Sequence, residues 1–81
     1  MTSLRMDTQD LTKLGDRIRE QRKKLGLTQE DLAHKAGIDR SYIGGVERGE
    51  RNLTLKVLCA ICVALECDIA ALTKGIPGVP R

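Results

Sequence analysis

The residues of this 81-residue chain whose types could do chemistry are three cysteines, one histidine and two groups of arginine. Cys59-x-x-Cys62, followed by Cys67, has the spacing of a metal or dithiol site. A structural zinc site needs four donors, usually two such pairs. Here there is no second CxxC, and His34 belongs to another segment. The pair lies inside "LKVLCAICVAL", where a buried thiol behaves as a small hydrophobe. No metal and no cofactor is therefore expected, and a thiol or metal protein built on Cys59 and Cys62 stays as the lesser alternative. No Ser/His/Asp arrangement and no glycine-rich phosphate loop stands out, so the chain does not read as an enzyme.

The arginines are more informative than the net charge. Fourteen basic and 11 acidic residues leave only +3, weak support for a polyanionic partner. The clustering is stronger: Arg17, Arg19, Arg22, Lys23 and Lys24 crowd the end of one segment, and Arg40, Arg48 and Arg51 another. Cations near a helix C-terminus are favourable in their own right. The clusters alone thus leave a solvated face and an anion-binding face both open.

The elements that must position these residues are helices. With no Trp, no Phe and one Tyr, Tyr42, the core must be Leu, Ile, Val and Ala, which favours packed helices over a sandwich or barrel. Leu11, Leu14, Ile18 and Leu25 recur at helical spacing. Helix 1 is therefore expected over about 8–25, with Asp7 as its N-cap and Gly26 as a left-handed stop. A second pattern then repeats four times. An apolar residue precedes a capping residue, and another follows at the fourth helical position: Leu27/Thr28/Leu32, Ile38/Asp39/Ile43, Leu53/Thr54/Leu58 and Cys67/Asp68/Leu72. This is the spacing of a hydrophobic staple. It predicts helices at 29–36, 40–48, 55–65 and 69–73, and Asp31 completes a weaker capping box with Thr28. The fold class is all-α, with five helices in a single domain over 1–76. "KGIPGVPR" ends the chain, and its last part, 77–81, is expected to be a flexible tail. No apolar run reaches the about 18 residues of a membrane helix, and "MTSLRMDTQD" lacks a signal-peptide core. The expectation is a cytoplasmic protein with reduced thiols and no membrane contact.

Gly44-Gly45 would ordinarily mark a turn. The flanking Ile43 and Val46 are at helical spacing, however, and Asp39 supplies a cap. The pair is therefore expected inside helix 3, on the side away from the core. There it would cost roughly 1 kcal/mol per glycine relative to alanine and leave the backbone open to close approach by another surface. Helix 2, a tight turn at Gly37 and helix 3 then form a helix-turn-helix pattern. Leu32, Ile43 and Val46 supply its shared core, small Ala33 lies where the helices cross, and helix 1 closes the unit from behind.

The stretch "RIREQRKKLGLTQEDLAHKAGIDRSYIGGVERGERNLTLKVLCAICVAL", residues 17–65, resembles the phage repressor/Cro-type helix-turn-helix regulators. "YIGGVERGERNLTL" is similar in particular to the controller proteins of restriction-modification systems, small homodimeric regulators of transcription. The resemblance implies binding to double-stranded DNA at a pseudo-palindromic operator. It implies phosphate contacts from Thr28 and Gln29, and reading positions at Arg40, Ser41, Tyr42, Gly44 and Gly45. Arg40 can donate two hydrogen bonds to a guanine. Arg51 and Asn52 fall where relatives bind backbone or neighbouring bases, and Arg48 could do either. Relatives often carry a longer polar side chain at the positions of Gly44 and Gly45, so DNA shape would carry more of the specificity here. Arg22 and Glu47 fall where the family pairs Arg with Glu to orient the reading helix. The alternative use of such a fold is as a protein-binding module of the antitoxin type.

Helix 4 is apolar almost all round, as expected of a helix buried on more than one side. Either it is central to its own domain or part of it meets a second subunit. The homodimer reading places Val57, Ile61, Ile69 and Leu72 at that interface.

Overall fold

Each cap-and-staple repeat starts a helix in the computed structural model, which describes residues 8–78. The helices are α1 (Thr8–Lys24), α2 (Gln29–Ala36), α3 (Arg40–Glu47), α4 (Leu55–Ala64) and α5 (Ile69–Thr73). The expected cap of α1, Asp7, lies outside the described residues. Thr28 Oγ1 accepts from Asp31 N at 3.0 Å and Thr28 N donates to Asp31 Oδ2 at 2.9 Å, a complete capping box. Asp39 accepts from Ser41 N at 3.1 Å, Thr54 from Val57 N at 3.1 Å and Asp68 from Ala71 N at 3.0 Å. The inner staple residues Leu32, Ile43, Leu58 and Leu72 are buried, and their partners Leu27, Ile38, Leu53 and Cys67 pack half-buried against them.

The helix ends share a grammar as well. After α1, α2, α3 and α4 an N–H reaches back five residues: Leu27 to Arg22, Ile38 to Ala33, Glu50 to Gly45 and Cys67 to Cys62, at 2.9–3.0 Å. This Schellman closure needs one residue in the left-handed region. Gly26, Gly37 and Gly49 supply it for the first three helices; Glu66, at φ 58°, supplies it for the fourth.

The core is assembled from Leu14 and Ile18 of α1, Leu32 and Ala33 of α2, Ile43 and Val46 of α3, and Leu58, Ile61 and Cys62 of α4, closed by Leu65 and Leu72. α3 packs on both α1 and α2, while α5 bridges α1 and α4. Two side chains of α1 tie it to that end: Arg17 Nη1 donates to Leu72 O at 3.1 Å and Gln21 Nε2 to Leu65 O at 3.0 Å. The C-terminal segment folds back on α1, where Gly78 N donates to Asp10 Oδ1 at 2.9 Å. The rest of the expected tail, 79–81, lies outside the described residues. No helix among the described residues is long and apolar enough to cross a membrane.

The packing corrects two of the expected interface positions. Ile61 is 0% exposed and Leu72 2% exposed, so both belong to the subunit's own core. Leu72 is the inner member of a staple, and Ile61 is among the fully buried side chains of the core. Val57 and Ile69 are half-buried against the same core. The outward stripe of α4 is instead Leu55 at 67% exposure, Cys59, and Val63 at 79%.

Candidate nucleic-acid interface

The site begins with a buried ion pair. Arg22 on α1 donates from Nε to Glu47 Oε2 at 2.6 Å and from Nη2 to Oε1 at 3.0 Å, a two-pronged contact with a carboxylate at the end of α3. Arg22 Nη1 donates to Leu27 O at 2.8 Å, and Gln29 Nε2 donates to Glu47 Oε1 at 3.1 Å. One carboxylate thus gathers α1, the start of α2 and α3. The Arg22–Glu47 pairing expected from sequence is formed, and it is buried rather than a surface pair of little worth. The Gln29 bond had no signal in the sequence, because it joins residues that are adjacent only after α2 and α3 pack.

Beside this pair, a cleft of about 540 Å³ opens between the start of α2 and Arg40. Arg22, Leu27, Thr28, Gln29 and Arg40 line it, together with Glu30 and Asp31. A helix N-terminus suits an anion because backbone N–H groups point outward there. The Asp31 carboxyl is held below its ordinary value by the backbone and side-chain hydrogen bonds of Thr28. Asp39, at the start of α3, is lowered by the Ser41 hydroxyl and then the Ser41 N–H. The Ser41 hydroxyl, one of the expected reading groups, donates to Asp39.

Arg40 and Ser41 are exposed at the start of α3 and Tyr42 is half-exposed. Gly44 and Gly45 are helical, as expected, but they are not open to solvent. Side chains from beyond the helix cover them. A Cβ built on Gly44 would stand 3.1 Å from Arg48 Nη1, and one on Gly45 3.1 Å from Arg51 Nε. The Arg51 guanidinium lies 5.1 Å from the centre of the Tyr42 ring, within cation–π range. Arg48 Nε pairs with Glu50 Oε1 at 3.1 Å. Arg48, Arg51 and Asn52 are themselves exposed. The structure therefore brings Thr28, Gln29, Arg40, Arg48 and Arg51 around one outward face of the α2–α3 unit.

The close backbone approach lies elsewhere. A Cβ on Gly15 would meet Val46 O at 2.5 Å and Glu47 O at 2.6 Å; one on Gly49 would meet Thr12 Oγ1 at 2.7 Å. These two glycines set α1 against the end of α3, and sequence reading passed over both. The phase was available: Gly15 follows Leu14 and precedes Ile18 by one helical turn, on the inward side of α1.

Cys62 and Cys67 touch through their side chains, but the three cysteines sit in different settings. Cys59 is exposed and Cys62 buried. Burial pushes the Cys62 thiol up to about 11 and raises that of Cys67 as well. Among the described residues no group of three or more His, Cys, Asp or Glu side chains could hold a metal.

Known proteins share this helix-turn-helix fold. A family model described as helix-turn-helix matches residues 18–72. The control protein C.SmaI of Serratia marcescens is 40% identical over 67 residues, which cover 83% of this chain and 77% of that protein. The immunity repressor of Bacillus phage phi105 is 41% identical over 59 residues, 73% of this chain but 41% of the repressor. Among solved structures, the restriction-modification controller protein C.AhdI from Aeromonas hydrophila gives a TM-score of 0.78 at 48% identity, covering 79% of this chain and 97% of that one. The controller protein C.Esp1396I, solved as a tetramer in complex with its natural 35-base-pair operator, gives 0.71 at 45% identity, covering 76% and 82%. The chain belongs to the helix-turn-helix family of transcriptional regulators, and within it resembles the restriction-modification controller proteins.

Proposed function

We propose that the chain is a cytoplasmic homodimer that binds a pseudo-palindromic operator in double-stranded DNA and regulates transcription in a restriction-modification system. The observation that carries this reading is the gathering of Arg22, Gln29 and Glu47. It locks the anion-binding start of α2 and the outward face of α3 at one fixed spacing. Phosphates meet Thr28 and Gln29 and set the register. Arg40 then reaches a guanine edge in the major groove, with Ser41 and Tyr42 beside it. Arg48, Arg51 and Asn52 extend the contact into the loop beyond α3. The protein performs no chemistry; binding alone is its activity, and it needs no cofactor.

Two subunits meet through the outward stripe of α4, Leu55, Cys59 and Val63, with half-buried Val57 and Ile69 at its margin. An exposed apolar stripe of this kind marks an association surface. It would set two copies of α3 about 34 Å apart, one turn of DNA. The test is selection of bound sequences from random duplex DNA, followed by Arg40→Ala on the selected site. Loss of about 1–3 kcal/mol with relaxed preference at one base pair is expected. Equal loss on every sequence would make Arg40 a phosphate contact. Failure of the wild-type chain to enrich any sequence would defeat the reading.

A further inference from the structure

Gly44 and Gly45 present a contradiction. They weaken a helix of only eight residues, yet neither uses a glycine's conformational freedom: φ is positive at Gly26, Gly37, Gly49 and Gly75 only, among the glycines described. Nor does either admit a neighbouring backbone. At Gly15 and Gly49 a Cβ would strike backbone atoms; at Gly44 and Gly45 the nearest atoms are the side chains of Arg48 and Arg51. The missing side chains are filled by arginines. Arg51 lays its stem against Gly45, with Cγ 3.2 Å and Nε 3.1 Å from where a Cβ would be, and its guanidinium over Tyr42. Arg48 sets Nη1 over Gly44 while Nε is held by Glu50. Each arginine is therefore in contact on two sides, and each still shows its remaining donors to solvent.

We propose that Gly44 and Gly45 are positioning residues: they are seats that hold Arg48 and Arg51 flat along the outward face of α3, so that this face presents arginine donors delivered from the following loop in place of side chains of its own. This rests on the DNA-binding reading above and assigns the glycines a role within it. A guanidinium fork already ordered at the helix surface loses less freedom on meeting a base edge or phosphate. A Cβ at either position would push the arginine outward by a few tenths of an ångström, and a larger side chain would lift it away.

A double-mutant cycle separates this from simple obstruction of the groove. Gly45→Ala is made in the wild-type chain and in Arg51→Ala. The readout is the ratio of affinity for the selected operator to that for a scrambled duplex. Gly45→Ala is expected to lower the ratio several-fold in the wild-type background and to leave it unchanged in Arg51→Ala. An equal fall in both backgrounds would overturn the proposal, because the added methyl would then block DNA directly. A second readout needs no DNA. The side-chain protons of Arg51 should be shifted upfield by the Tyr42 ring in NMR spectra of the free protein, with Tyr42→Leu setting the zero. The shift should shrink in Gly45→Ala and vanish in Gly45→Leu, with no fall in the thermal midpoint of the alanine variant. A shift absent from the wild type, or unchanged in Gly45→Leu, would remove the seat. A wild-type chain with the shift but no preference among duplexes would sink the DNA reading, and with it the use of the seats, while leaving the seats themselves standing.

Discussion

Glu47 is the residue on which the proposed interface depends, because α1 and α2 both reach it on α3 through hydrogen bonds. Its carboxylate is almost wholly buried and its partner Arg22 nearly so. Truncating one member of such a pair leaves the other charged and unpaired in a poor solvent for charge. Glu47→Ala should therefore destabilise the chain by about 3–5 kcal/mol, a large share of what a small domain has. Urea denaturation measures this directly, and a loss under about 1 kcal/mol would mean that the pair behaves as an exposed one. At this scale the sequence was legible in part. Arg22 and Glu47 were paired through family resemblance, since nothing local links them. That Gln29 also gives its amide to Glu47, and that arginines cover Gly44 and Gly45, depends on which side chains arrive from elsewhere.

Helix starts and stops follow local chemistry, and the departures from it are informative. α4 closes on Glu66 in the left-handed region, where an L side chain costs on the order of 1 kcal/mol. Glu66→Gly should raise stability by about that amount, read as a higher thermal midpoint; no gain would show that Glu66 has a compensating contact. α1 supplies the opposite case. In an isolated helix Gly15→Ala would gain up to about 1 kcal/mol. Here the methyl would press on two carbonyls of α3 that cannot rotate aside. A net loss of about 1–3 kcal/mol is expected, as for an overpacked core. Gly44→Ala meets only side-chain ends, Arg48 Nη1 at 3.1 Å and Gln29 Oε1 at 3.7 Å, so chemical denaturation should show the larger loss for Gly15→Ala. If Gly15→Ala proved the more stable, α1 and α3 would have to be able to separate at no cost.

For the whole molecule the open surface is the outward stripe of α4, and the expected dimer turns on it. Val63→Asp places a charge on an already exposed side chain. It should leave a folded chain that sediments as a monomer at micromolar concentration and binds a two-half-site operator at least tenfold more weakly. Ile61→Asp should instead unfold the chain, because it buries an unpaired carboxylate in the core. A Val63→Asp chain that still forms dimers would move the interface away from α4. The sequence reading put Ile61 and Leu72 on an association surface, and the structure buries both in the subunit's own core. An apolar pattern running almost all round a helix carries no phase, so Ile61 and the outward residues looked alike.

What the sequence by itself determined is whatever closes within about five residues. The caps at Thr28, Asp39, Thr54 and Asp68, the staples that seal them, the glycine stops after α1 and α2, and hence five helices and a helix-turn-helix unit, all rest on contacts between near neighbours. Their bounds agree with the structure to within a residue. What only the tertiary structure decided is how surfaces distant in the chain share space. It settled that Gly15 rather than Gly44 or Gly45 is where backbones meet, that Leu72 and Ile61 face inward while Leu55 and Val63 do not, and that Arg48 and Arg51 fold back over α3. Each of these depends on the path of the chain between two elements, which no spacing of residues within either one encodes.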